Sequence, residues 1–361
     1  MILRIFGMSF VITIAALIAA FFYGGPTAVV LTLILGVLEV SLSFDNAVIN
    51  ATVLRRMSEF WQKMFLTVGI VIAVFGMRLV FPLAVVWLAS GLNPIQALDL
   101  ALNPPANGAE YFADGSPSYE TIITDAHPQI AAFGGMFLLM LFLGFIFDDK
   151  EITWLSWIER PLIRIGKLEQ LPVIIATGLL VITATFIAHE DETATVMIAG
   201  ALGMITYIAV NGLGEMFHTD DEADDDTRSG PSDLAKVAGK AGFFLFLYLE
   251  VLDASFSFDG VIGAFAITAD PIIIALGLGL IGAMFVRSLT VFLVRQGTLS
   301  DYVYLEHGAH WAIGALAVIL MYSIGTPVPE IVTGLVGVVL ILASFLSSVL
   351  RLRRAKAVET V

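Results

Sequence analysis

The sequence predicts an all-α, polytopic membrane protein of about ten transmembrane helices, built as two inverted five-helix repeats. Three observations predict it: the composition, the sidedness of the basic residues, and an acidic motif that occurs twice. Of 361 residues, 58% are hydrophobic and only 14% charged, outside the composition of soluble globular domains. There is no cysteine, which excludes disulfides and thiolate metal sites and leaves oxygen or imidazole as the available metal ligands. A net charge of -14 argues against a nucleic-acid partner, although that figure averages over two faces of a membrane.

A bilayer core requires about 20 apolar residues per helix. Arg4 precedes an apolar run from Met8 to Tyr23, and "GGPTAVV" leads straight into the next run. That start reads as a retained first helix, not a cleaved signal. Spans are expected at 6–23, 27–50, 65–89, 129–147, 172–188, 194–211, 241–265, 271–294, 308–323 and 330–350. They group into a first repeat at 1–190 and a second at 191–350, with an acidic loop at 212–239 and a basic tail at 351–361. With both termini inside, every Lys and Arg except Arg78 and Arg287 falls in a cytoplasmic segment, and the loop from Ser90 to Pro128 has none. Lys and Arg retained on the cytoplasmic side set orientation, and an odd error in helix count would scramble this pattern. The outer loop, "NPPANGAEYFADGSPSYE", reads as a surface excursion that is partly re-entrant. The inner run "TDDEADDDTRSGPSD" reads as a solvated linker or a weak cation vestibule.

The repeat is carried by "EVSLSFDNAVINA" from Glu39 and "DASFSFDGVIGAF" from Asp253. Both fit acid-x-Ser-apolar-Ser-Phe-Asp. Each precedes a span holding one arginine, so Arg78 mirrors Arg287. Alternating spans give the two copies opposite directions. Inverted halves of this kind are common in secondary transporters, whose substrate sites lie near the midplane where the repeats meet.

An ionised Asp at the centre of a spanning helix costs about 2.5–3.5 kcal/mol on insertion scales. Glu39, Asp45, Asp253 and Asp259, with Glu250 a turn earlier, exceed what two intramembrane arginines offset. Such carboxylates take up protons or hold cations. At 100° per residue, Glu39, Ser43, Asn46 and Asn50 share one stripe, as do Glu250, Asp253 and Ser257. Two crossing helices could converge these oxygens on a hard divalent cation such as Mg, Ca or Mn. Taken singly, a buried Asp beside an Arg is as readily a packing ion pair; Arg78 and Arg287 read as supports that orient carboxylates, and the serines as small residues at helix contacts. His307 and His310 at the inner mouth of the ninth span, and His189 at the outer end of the fifth, are candidate gate or relay positions. No zinc-hydrolase, Walker or Rossmann pattern occurs in a suitable context, and no organic cofactor or enzymatic activity is expected.

The residues "EVSLSFDNAVI", "GMRL" and "GGMFLLM" resemble the TerC family of integral membrane proteins, grouped with the LysE-type exporters and named for tellurium resistance. The segments "LEVLDASFSFDGVIGAFAIT" and "YLEHGAHWAIGAL" resemble its branch known only as a domain of unknown function. The resemblance implies a bacterial inner-membrane transporter tied to manganese export and to metal loading of secreted proteins. The metal ion, the lipid bilayer and secreted metalloproteins or the secretion machinery are the implied partners. It places the ion site at Glu39, Asp45, Asn46, Asp253 and Asp259, with Mn2+ as cargo. Gly260 stands where the first copy has Asn46, and Glu250 is an additional acid. The rival readings are a non-transporting membrane scaffold that binds metal or partner proteins and, with least support, an intramembrane hydrolase.

Overall fold

The computed structural model describes residues 2–72, 76, 80, 83, 92–105, 109–150, 152–168, 170–223, 239–265, 267–268, 270–295 and 302–359. Helix α1 (Ile2–Leu42) contains the first expected span and most of the second. A straight 41-residue helix would be about 60 Å long, roughly twice the apolar core of a bilayer. Gly24 and Gly25 interrupt it, the latter at φ 68°, and Pro26 restarts it. That φ is open to glycine and costly for other residues.

Contacts with segment 270–288 reveal what the interruption does. Tyr23 donates to Asp270 Oδ2 at 3.0 Å and Ser9 donates to the Met284 carbonyl at 2.8 Å, so the first limb runs antiparallel to that segment. Further along, Thr32 and Leu35 lie against Gly277, Gly36 against Ile281 and Glu39 against Gly282, so the second limb runs parallel to it. The two limbs are therefore antiparallel to each other. Gly-Gly-Pro turns one continuous run into two antiparallel limbs.

Helix α2 (Phe44–Leu54) follows Ser43, and α3 (Glu59–Met64) passes into a π-helical turn, Phe65–Gly69. The long polar loop is more structured than a surface excursion. Its helices α4 (Pro94–Leu102) and α5 (Tyr119–Asp125) are capped by Asn93 and Ser118. Ala97, Ala101, Tyr119, Ile122 and Ile123 are buried with residues of α1 and of segment 273–278.

Helix α6 (His127–Phe147) is apolar all round and forms the centre of the bundle, as expected of a helix with no solvent or lipid face. The short α7 (Ser156–Ile165) leads to α8 (Leu171–Ile182), which ends in the π-turn Thr183–Ile187. Helix α9 (Thr193–Ala223) continues beyond the expected span into the acidic run, whose residues 224–238 lie outside the described residues. Next come α10 (Gly239–Phe265), α11 (Pro271–Ile274) with the π-helical Ala275–Gly282, and α12 (Ala283–Arg295). Helices α13 (Leu305–Ser323) and α14 (Glu330–Glu359) complete the chain.

Among the described residues, five segments are long and apolar enough to cross a membrane: Ile5–Val40, His127–Phe147, Thr193–Gly212, Pro271–Val294 and Leu335–Arg354. His127–Phe147 and Pro271–Val294 are mostly buried inside the protein, whereas the other three present most of their surface outward. That outward surface carries Phe10, Val11, Ile14, Phe22, Ile198, Leu202, Leu335 and Val339, an apolar exterior suited to lipid and unsuited to water. Most of the expected third span, 65–89, lies outside the described residues.

The Gly-Gly-Pro turn is testable by substitution. Gly25→Val should lower stability by about 1–2 kcal/mol, the cost of holding a β-carbon in left-handed backbone. Gly7→Ala, where an added methyl has nothing within 4 Å, should be neutral or slightly stabilising. Thermal unfolding of the purified protein in detergent measures both, and equal melting temperatures for the two variants would contradict the turn geometry.

Candidate functional site

The expected polar stripe on the first acidic motif persists across the break at Ser43. Ser43 N–H still donates to the Glu39 carbonyl at 2.9 Å, and Ala47 N–H to that of Ser43 at 3.1 Å. Glu39, Ser43, Asn46 and Asn50 are all buried, and Ser43 Oγ donates to Glu39 Oε1 at 2.6 Å. On α10, Glu250 and Asp253 are buried as well. Asn46 Nδ2 donates to Asp253 Oδ1, so the two motifs, 207 residues apart at this contact, meet. Arg78, and the side chains of Asp45, Ser257 and Asp259, lie outside the described residues.

Glycines on the π-helical segments let the acids come in. A β-carbon on Gly69 would sit 2.6 Å from Glu250 Oε1, and one on Gly282 would strike the Glu39 side chain. Gly69 ends the π-turn Phe65–Gly69 and Gly282 the π-helical Ala275–Gly282. Each of these π-helical stretches thus offers a glycine to an acid from a distant part of the chain. Widened helical turns of this sort occur often at functional sites. Trp61 against Gly242, Phe65 against Phe246 and Gly69 against Glu250 show that the Glu59–Gly69 stretch runs parallel to α10. The second limb of α1 has the same relation to Ala275–Gly282.

Between these elements lies a cavity of about 30 Å³, lined by Asn50, Gly69, Asp253, Arg287, Thr290 and apolar neighbours. That is room for about two waters, at roughly 10–15 Å³ each, or for an ion. Arg287 Nε donates to the Leu66 carbonyl at 3.0 Å and ties α12 to the first π-turn. Both carboxylate oxygens of Glu250 and the Asn50 Oδ1 are buried without a hydrogen-bond donor. A carboxylate enclosed in this way is costly unless a proton or a cation joins it. Among the described residues, no three His, Asp or Glu side chains are grouped closely enough to hold a metal ion.

The histidines sit at opposite ends of the bundle. His307 lies against Glu159, Nδ1 to Oε2 at 3.1 Å, while His310 stacks on Phe145 at 3.6 Å. His189 is exposed and lines a 310 Å³ pocket with Asp125, His127 and Glu192. The two ends are separated by the length of α6, about 30 Å for its 21 residues.

The sequence reading missed Glu159. This residue is fully buried on the otherwise basic α7 and accepts from Trp311 Nε1 at 3.0 Å and from the N–H groups of Trp154 and Leu155 at 3.1 and 3.3 Å. Burial alone would raise its carboxyl, but His307, Trp311 and the backbone hold it down at about 2. Nearby, Lys150 Nζ sits 3.2 Å over the Phe145 ring, and burial pulls it to about 8 against the attraction of Glu159, Asp148 and Glu306. An acid next to Arg160 in the segment Ser156–Ile165, which has no other, was the available signal.

Because the Glu159 carboxyl is lowered in the folded state, its stabilisation is complete above the ordinary value of 4.5 and is lost as the pH falls towards about 2. Wild-type stability in detergent should therefore drop through that window, and Glu159→Gln should flatten this part of the profile. Parallel profiles would contradict the arrangement. Glu159→Ala, which strips three donors of their acceptor, should cost at least about 1–3 kcal/mol.

The family described as "Protein of unknown function (DUF475)" matches residues 44–355. That range takes in every candidate residue except Glu39 and Ser43. No curated protein and no solved structure matches the chain.

Proposed function

The chain belongs to the DUF475 family, and from that premise and the geometry of the site we propose that it is a secondary transporter that exports a divalent metal cation, with Mn2+ favoured. The observation that carries the reading is the joining of the two acidic motifs through Asn46 and Asp253, beside the enclosed Glu250 carboxylate and the small cavity. Carboxylate and amide oxygens are hard donors, suited to Mn2+ or Mg2+ and poorly suited to soft metals. Asp45 precedes Asn46, and Asp259 follows Asp253 by less than two turns; the proposal adds their carboxylates to the ligand set.

The chain crosses the bacterial inner membrane ten times, with both termini cytoplasmic. Its two five-helix halves are inverted relative to one another. The parallel pairing of each acidic helix with the other half's π-helical span, and the antiparallel limbs of α1, support that alternation. Transport proceeds by rocking of one half against the other, so that the site opens to each side in turn. Protons returning on the same carboxylates supply the coupling. The resemblance to TerC proteins supports the cargo and its use in metal loading of secreted proteins, and Arg287 serves to position the π-helical spans.

The test is Mn2+ flux into proteoliposomes. Asp45→Asn, Asp253→Asn and Asp259→Asn should each lower flux about tenfold or more, the loss expected when a charge-assisted contact worth about 1.5–3 kcal/mol is removed. Flux that is unchanged in all three would remove these residues from the mechanism. Saturable Mn2+ binding with no flux in the wild type would favour the scaffold reading instead.

A further inference from the structure

Helix α7 presents three distinct faces. One is fastened inward by Glu159, through Trp311, His307 and two backbone N–H groups, and by Leu162, which packs on the main core. A second is apolar and turned outward: Trp157 is 78% exposed and Ile165 50%, with Leu168, 62% exposed, just past the helix end. At 100° per residue, Trp157, Pro161 and Ile165 fall within about 80° of arc. The third adjoins it and holds Arg160 and Arg164, with Lys167 following, all exposed. Glu159 is the sole acid within α7 itself and it faces inward, so the outward surface of the helix carries positive charge and apolar bulk together, with Glu169 next in sequence after Leu168.

We propose that the outward surface of α7 is a binding site for anionic phospholipid, with Trp157, Ile165 and Leu168 in the acyl boundary and Arg160, Arg164 and Lys167 on the headgroup phosphates. Two observations choose this occupant. The charge is complementary to the negatively charged cytoplasmic leaflet. The connections are also short: α7 hangs between Phe147, where the central apolar helix ends, and Leu171, where the next apolar helix begins. Both anchor points lie at the level where a crossing helix leaves the hydrocarbon. Basic amphipathic helices bearing an exposed Trp lie in that interfacial layer. Since Glu159 couples α7 to α13, lipid held there bears on the end of the bundle that contains His307. The inference goes beyond the transport reading and shares with it only the bilayer and the inner placement of this loop.

The experiment uses the full-length protein in phosphatidylcholine nanodiscs doped with equal small amounts of brominated phosphatidylglycerol or brominated phosphatidylcholine. The Trp157 contribution is taken as the fluorescence difference between wild type and Trp157→Phe. Brominated phosphatidylglycerol should quench it more strongly. That preference should fall by about fivefold for each of Arg160→Gln, Arg164→Gln and Lys167→Gln, the factor to which about 1 kcal/mol per basic residue converts. These side chains are exposed, and unchanged melting temperatures will show that the variants fold. Absence of quenching by either lipid would overturn the proposal, as would equal quenching that the basic substitutions leave unaltered. A protected Trp157, with Ile165→Ser turning a dimer into a monomer by light scattering, would show that a second copy covers this face. None of these readouts requires metal or flux, so failure here is distinguishable from failure of the transport reading.

Discussion

The contact between Asn46 and Asp253 is the constraint on which the rest of this architecture depends. Two acidic helices from distant parts of the chain can approach only if the elements between them yield space, and glycines at the ends of π-helical turns provide it. Gly69 admits Glu250 and Gly282 admits Glu39. A side chain at either glycine would push a carboxylate out of its place. The enclosed Glu250 carboxylate, whose two oxygens meet no hydrogen-bond donor, is unfavourable in isolation, since a charge removed from water without a partner costs several kcal/mol. Such groups persist in membrane interiors where they serve ions or protons.

The same geometry explains the arrangement of the apolar helices. α6 and the Pro271–Val294 segment are surrounded by protein, whereas α1, α9 and α14 turn their apolar sides outward. The polar centre thus lies among α2, the Phe65–Gly69 turn, α10 and α12, with the lipid-compatible surface at the periphery. At either end of α6 the character changes. One end gathers Glu159, His307 and Lys150 into a dense network, and the other opens into a 310 Å³ pocket bordered by His127 and His189. A cation pathway between two aqueous faces would meet ionisable groups of this kind at both entrances.

Much of this could be read from residue order. Gly24, Gly25 and Pro26 marked the end of the first expected span, because backbone that only glycine tolerates interrupts a helix wherever it falls. The stripe of Glu39, Ser43, Asn46 and Asn50 followed from helical periodicity alone, and the repeated motif indicated that a second stripe should face it. The π-helical turns were not legible, because the sequences around Gly69 and Gly282 are as apolar as any spanning helix and the extra width arises from packing. Glu159 was missed for a related reason. Its partners, Trp311 and His307, are some 150 positions away, and in sequence it looked like an ordinary surface acid in a charged loop. Burial of α4 and α5 against α1 likewise depends on tertiary contacts that the turn-rich composition of their loop concealed.

The central claim is that buried oxygens of the two motifs together hold one divalent cation. Titration of the purified full-length protein with Mn2+, followed by loss of the free-ion electron paramagnetic resonance signal, tests it most directly. A single saturable site is predicted, abolished by combining Glu250→Gln with Asp253→Asn and retained in Glu159→Gln. Binding that survives the double substitution, or no saturable binding by the wild type, would contradict the account.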